Sequence, residues 1–150
     1  AEIDGAQAGR EVVVVGVLTG CFVFMADLVR HLTGPVRCEF LGLSSYGAAT
    51  ESSGVVAITK DLSAPIRGAH VLVVEDIVDT GLTLSYLLEN LATRQPASLS
   101  TVCLLSKPAR RRIDVQVDFL GFTIEDRFVV GYGLDYDGRW RNLPYVGAID

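Results

Sequence analysis

The stretch Val71-Leu72-Val73-Val74-Glu75-Asp76-Ile77-Val78-Asp79-Thr80-Gly81-Leu82-Thr83 decides how this chain folds. An apolar run ends in two adjacent acids, then two more apolar residues, then Asp-Thr-Gly-x-Thr. A continuous apolar run of this kind reads as a strand buried on both faces, the signature of a parallel sheet. Leu84, Leu87, Leu88 and Leu91 follow at helical spacing, so the polar residues fall on a strand-to-helix turn. In open α/β sheets that is where ligands bind, beyond the carboxyl ends of the strands. The backbone N–H groups of Thr80, Gly81, Leu82 and Thr83 would form an anion site at the start of the helix. Gly81 permits close approach there, and the threonine hydroxyls add donors. Acids beside an anion site make chemical sense when a hydroxyl-rich sugar or Mg²⁺ lies between them. Any one of these residues could belong to an ordinary acidic loop with a helix cap; the thirteen together fit that poorly.

Working outward, Val12 to Leu18 is a second β-branched run, broken by Thr19-Gly20. Met25, Leu28, Val29 and Leu32 then mark one face of a helix, which Thr33-Gly34-Pro35 ends. Arg37 to Ser45 is a strand candidate. Tyr46 to Gly54 is small and polar, a mobile loop by composition, and Val55 to Thr59 returns as an antiparallel partner. His70 to Glu75, Thr101 to Ser106 and Val117 to Phe122 are further strands, and beyond Asp126 short strand pieces alternate with loops. There is no internal repeat, low-complexity segment or linker. The alternation predicts one α/β domain over residues 1–150 with a mainly parallel sheet.

Composition sets the limits. The chain has 150 residues, of which 49% are hydrophobic and 21% charged, with a formal net charge of −5 and a mean hydropathy of +0.36. A chain of this length buries roughly 68–70% of its unfolded surface, so the core needs no disulfide or structural metal. Both halves are mildly acidic, which argues against nucleic acid as a partner, since that needs a basic face. Cys21, Cys38 and Cys103 are widely spaced and read as free thiols of a reducing cytosol. The longest apolar stretch, Val12 to Ala26, is too short and too interrupted for a membrane span, and nothing precedes it that resembles a signal peptide. Ala1-Glu2-Ile3-Asp4 lacks an initiator Met, as a processed or trimmed end would.

The run from Val71 to Thr83 resembles the motif by which type I phosphoribosyltransferases bind phosphoribosyl pyrophosphate (PRPP). The other segments resemble one branch, the hypoxanthine-guanine phosphoribosyltransferases: Val17-Leu18-Thr19-Gly20 with the helix after it, Leu43-Ser44-Ser45-Tyr46-Gly47, Ser106-Lys107, Phe119-Leu120-Gly121-Phe122, Asp126 to Tyr136, and Arg141-Asn142-Leu143-Pro144. They span about residues 10–149 in the family's order.

The resemblance implies the type I fold, with a small hood and a flexible hairpin loop. It implies transfer of the 5-phosphoribosyl group from PRPP to N9 of hypoxanthine or guanine, giving IMP or GMP and pyrophosphate. Asp79 would be the general base at the purine, because a carboxylate can accept a proton as N9 attacks. Glu75 and Asp76 would hold the ribose hydroxyls, directly or through Mg²⁺. Asp79, Thr80, Gly81, Leu82 and Thr83 would hold the 5′-phosphate. Leu18, Thr19, Gly20 and Arg141 would bind pyrophosphate, and Asp135 a second Mg²⁺. Ile77, Lys107, Phe128 and Val129 would surround the purine, with Lys107 reading O6, Phe128 stacking and the Val129 backbone reading the ring edge. Ser45 and Tyr46 would close over the reaction and exclude water. A cytoplasmic homodimer or homotetramer is implied as well.

Two positions depart from the family pattern. Many members carry lysine where Thr19 stands, and some where Leu82 stands. The family often has a non-proline cis peptide matching Leu18-Thr19. Read locally, several residues have plainer roles: Lys107 a solvated strand end, Phe128 core, Asp135 a turn acid like Asp137, Arg110-Arg111-Arg112 a solvated face, His31 and His70 structural histidines, and Cys21 a small packed residue. An alternative of another class is a PRPP-fold regulator that binds RNA, of the attenuator type; the acidic charge and the pair Lys107 and Phe128 speak against it.

Overall fold

The computed structural model describes residues 1–45 and 56–149. All of the expected loop from Tyr46 to Gly54 lies outside them, as do Val55 of the expected return strand and the Ser45 side chain. The elements run α1 (Glu2–Gln7), β1 (Val12–Leu18), α2 (Phe22–His31), β2 (Val36–Ser45), β3 (Val56–Lys60), β4 (His70–Val78), α3 (Leu82–Ala92), β5 (Ser98–Ser106), a 3₁₀ turn (Pro108–Arg110), β6 (Phe119–Thr123), β7 (Phe128–Val130) and β8 (Gly147–Ile149).

Six strands form one sheet in the order β3-β2-β1-β4-β5-β6, while β7 and β8 pair separately. β1, β2, β4, β5 and β6 are mutually parallel, and β3 is antiparallel to β2. The chain therefore leaves β1 toward one edge through β2 and leaves β4 toward the other through β5. The crevice between the carboxyl ends of β1 and β4 is the topological switch point.

Alternation along the central strands sends side chains into two cores. Val13, Val15, Val17, Val71 and Val73 pack with Leu84, Leu87 and Leu91 of α3. Val12, Val14, Leu72 and Val74 pack with Met25 and Cys21 beneath α2, and with Ile3 of α1. Both faces of β1 and of β4 up to Val74 are covered, which is why Val12–Val15 and Val71–Val74 are continuous apolar runs.

Several elements depart from expectation, among them β6, which runs Phe119–Thr123 where Val117 to Phe122 was expected. β4 continues to Val78, three residues past its expected end at Glu75, because Ile77 and Val78 still pair with Leu105 and Ser106 of β5. β5 begins at Ser98, before the expected Thr101. α1 had no counterpart in the sequence reading. It is one and a half turns long, and it is held through Asp4, whose Oδ1 accepts the Thr33 N–H at 3.0 Å.

Candidate active site

The carboxyl end of β1 supplies Leu18, Thr19 and Gly20, and the Leu18–Thr19 peptide is cis. The end of β4 supplies Glu75, Asp76, Ile77 and Asp79. The end of β5 supplies Lys107, β7 supplies Phe128 and Val129, and the loop between β7 and β8 supplies Asp135 and Arg141. All of these line one cleft of about 550 Å³, together with Val17, Leu43 and Leu134, which the sequence did not single out as site residues. Thr80, Gly81, Leu82 and Thr83 form the adjoining turn into α3 and do not line that cleft. A larger groove of about 820 Å³ lies elsewhere, between Phe24, Leu104, Phe122, Tyr132 and Tyr145. Its lining is mostly apolar and carries one acid, Glu125, so the acid cluster and its chemistry belong to the smaller cleft.

Glu75 is buried. Its carboxyl is held well above the usual range, first by loss of water and then by the charge of Asp76. Burial also raises Asp76. Two adjacent desolvated carboxyls favour anything that brings positive charge or hydrogen-bond donors to them. The same environment pushes the Cys21 thiol up to about 12, burial first and the Glu75 and Asp76 charges after it. Cys21 is thus a packed thiol held in its protonated form, and Cys21, Cys38 and Cys103 are all free.

Gly20 lies directly against Asp76. A β-carbon on residue 20 would come within 2.8 Å of Asp76 Cγ and closer still to Oδ2. Asp76 Oδ1 accepts the Ile77 N–H at 2.7 Å, which turns its carboxylate toward the β1 turn. Asp79 accepts the Thr80 N–H through Oδ1 at 2.6 Å, and its Oδ2 lies 3.9 Å from Arg110 Nε. Leu82 N–H reaches Thr80 Oγ1 at 3.3 Å. Two N–H donors of this turn are therefore held by neighbouring side chains of the turn itself.

Lys107 is buried rather than solvated, with its N–H bonded to Val78 O at 2.9 Å. Phe128 is 49% exposed and lines the cleft, so it is not core. Asp135 does serve as a turn acid, accepting Gly138 N–H at 2.8 Å, yet its Oδ1 lies 3.3 Å from Arg141 Nη2 inside the cleft. Arg141 Nη1 donates to Gly133 O at 2.6 Å. His31 and His70 bond Asp27 O and Ser98 Oγ, as structural histidines do.

The expectation for Arg110-Arg111-Arg112 needs correction. Arg110 and Arg112 are exposed, but Arg111 turns inward onto the Asp79 turn, donating to Asp79 O at 2.9 Å and to Ser106 Oγ at 2.7 Å. Sequence reasoning also missed Tyr132, whose hydroxyl donates to Asp27 of α2. Its phenol is pushed up to about 12 by burial and then by the Asp27 carboxylate. The signals were slight: one tyrosine in a loop and one acid on a helix, 105 positions apart.

Residues 1–137 match the phosphoribosyl transferase domain family. The chain is 51% identical to the hypoxanthine-guanine phosphoribosyltransferase of Mycobacterium avium, over 97% of this chain and 71% of that protein. A crystal structure of a hypoxanthine-guanine phosphoribosyltransferase from Bacillus anthracis superposes with a TM-score of 0.95 at 44% identity, covering 99% of this chain and 88% of that one. The hypoxanthine phosphoribosyltransferase of Trypanosoma cruzi in complex with the product IMP superposes with a TM-score of 0.93 at 45% identity, covering 99% and 84%. The carboxyl-end cleft, the strand order and these likenesses agree: the chain belongs to the hypoxanthine-guanine phosphoribosyltransferase family.

Proposed function

We propose that the cleft transfers the 5-phosphoribosyl group of PRPP to N9 of hypoxanthine or guanine, releasing pyrophosphate and forming IMP or GMP. The observation that carries this is the convergence of Glu75, Asp76, Asp79, Lys107, Phe128, Asp135 and Arg141 on one cleft from four separate segments. The relative bound to IMP supports the same assignment.

Each role follows from chemistry at a named atom. Asp79 receives the purine proton as N9 attacks, through Oδ2, while Oδ1 keeps the Thr80 N–H. Glu75 and Asp76 accept hydrogen bonds from the ribose hydroxyls, which replaces the water that burial has removed from them. The N–H groups of Thr80, Gly81, Leu82 and Thr83 hold the 5′-phosphate. Thr19, Gly20 and Arg141 receive the departing pyrophosphate, where the forked guanidinium meets two oxygens at once. Lys107 donates to O6 of a 6-oxopurine. Adenine would set an amino donor against the buried ammonium and leave it unpaired. Phe128 and Ile77 give the purine apolar surface from the cleft lining, and the Val129 backbone meets the purine edge. Ser45 and Tyr46 belong to the segment assigned to exclude water.

Mg²⁺ fits the donor set. Among the described residues no three acids, cysteines or histidines form a ready cage, and Mg²⁺ held by one or two carboxylates plus substrate oxygens needs none. Glu75, Asp76 and Asp135 would hold it, and it would supply positive charge to the polyphosphate.

The RNA-binding alternative finds no support, because the similar proteins are transferases. The same proposal treats residues 1–150 as one cytoplasmic unit that assembles as a dimer or tetramer. Incubation with PRPP, Mg²⁺ and each purine base tests the activity. IMP and GMP should form, with adenine turned over poorly. Adenine consumed as fast as hypoxanthine would contradict the assignment.

A further inference from the structure

The segment that leaves β5 passes directly beneath the anion-binding turn. Arg112 and Ile113 donate their N–H groups to Thr80 O at 2.9 and 3.2 Å. Arg111 Nε donates to Asp79 O at 2.9 Å, while Arg111 Nη2 donates to the Ser106 hydroxyl oxygen at 2.7 Å. Gly81, at φ +86°, has no space for a side chain, since a β-carbon there would come 2.7 Å from Ile113 O and 3.3 Å from Arg111 Cδ. Turn and segment are in full contact.

The geometry of the peptide bond gives these contacts a direction. In a trans peptide the C=O and the next N–H point opposite ways. Holding Asp79 O on one side sends the Thr80 N–H to the other, where Asp79 Oδ1 accepts it at 2.6 Å, and holding Thr80 O turns the Gly81 N–H the same way. The second carbonyl is held by backbone donors that any residue would supply. The first is held only by a side chain, and that side chain is fixed in turn by buried Ser106. A guanidinium suits this position because its donors lie in one rigid plane and can reach two acceptors together.

We propose that Arg111 is a positioning residue for the 5′-phosphate turn: by gripping Asp79 O and Ser106 Oγ it sets the direction of the Thr80 N–H and the seat of the Asp79 side chain. This rests on the transferase assignment above. Arg111 touches neither substrate in that assignment and acts through the turn. Its loss therefore falls on the substrate that carries the phosphate.

The test is steady-state kinetics of wild type, Arg111→Met, Arg111→Lys and Ser106→Ala, with thermal melting of each. Arg111→Met keeps the apolar stem and removes both donors. It should raise KM for PRPP by about ten- to a hundredfold, the loss expected for a charge-assisted hydrogen bond, with KM for hypoxanthine little changed. Arg111→Lys should fall between wild type and Arg111→Met, and millimolar methylguanidinium should restore part of the Arg111→Met loss. Ser106→Ala should shift KM for PRPP in the same direction by less. An unchanged KM for PRPP in folded Arg111→Met would overturn the proposal, as would equal loss for both substrates without rescue. Should Arg111→Met fail to fold, Arg111→Lys and Ser106→Ala decide in its place, and an unchanged KM for PRPP in both counts against the proposal. A wild-type chain that makes no IMP would instead overturn the transferase assignment beneath it.

Discussion

The carboxylate of Asp76, at the end of β4, occupies the space that a β-carbon on residue 20 at the end of β1 would need. Only glycine lets the two strand ends close to this distance. The two proposed subsites, pyrophosphate on β1 and ribose on β4, are therefore adjacent by direct contact of backbone and acid.

Gly20→Ala should push the Asp76 side chain out of place without touching either core. The expected result is a fall in kcat/KM for PRPP of about tenfold or more, the equivalent of one displaced hydrogen-bonded group. Wild-type kinetics in this variant would show that the contact has no functional weight.

Asp79→Asn preserves shape and removes the base. Turnover should fall by about 10²- to 10⁴-fold, the usual contribution of general-base catalysis. PRPP binding, followed by calorimetry, should stay near wild type because the turn's N–H groups remain. A fully active variant would mean that another group takes the proton.

Lys107→Met should blunt discrimination at position 6 of the purine. Hypoxanthine kcat/KM should drop by about ten- to a hundredfold while the adenine rate changes far less. Parallel losses for both bases would place the lysine outside base recognition.

Stability should depend on pH through the paired acids. Glu75 and Asp76 are raised above their ordinary values in the fold. Between the unfolded range near pH 4 and the raised native values, the folded chain holds more protons than the unfolded one. Stability should accordingly fall as pH rises through that window in substrate-free protein with EDTA. Glu75→Gln should flatten the profile and raise the melting temperature at neutral pH. A wild-type melting temperature that climbs across the same window, with no change of slope in the variant, would refute this.

Thiol chemistry should separate the three cysteines. Cys38 is exposed, whereas burial holds Cys21 and Cys103 protonated. A disulfide reagent at pH 8 should modify one thiol in native protein and three after unfolding. Rapid labelling of Cys21 in the native state would show that the acid pair is more open to solvent than described.

Elements whose residues alone decide their environment were legible in the sequence. β1 and β4 were plain because burial on two faces demands apolar residues throughout, and α3 because its leucines repeat at helical spacing. The end of β4 was obscured because Glu75 and Asp76 look like a strand stop, yet backbone pairing continues past them. The residues that share the cleft were legible from the thirteen-residue run and from the resemblance carried by the other segments together, since a single acid at a strand end fits an ordinary loop equally well. Arg111 was hidden because three successive arginines look alike until the fold points one of them at a carbonyl 32 positions earlier. Tyr132 and Asp27 carry no local pattern at all, since their bond joins two elements far apart in the chain.

The two-stranded sheet of β7 and β8 closes the base of the loop that bears Asp135 and Arg141. That loop is further fastened by Gly133 N–H on Arg141 O, by Arg141 on Asp135, and by Tyr132 on α2. The entropy of closing it is settled when the chain folds and does not recur with each ligand that arrives. Asp135 and Arg141 are consequently held in register with each other by the fold itself. A ligand that engages either one finds the other already in register, and loosening the clasp at Tyr132 would weaken the hold of both together.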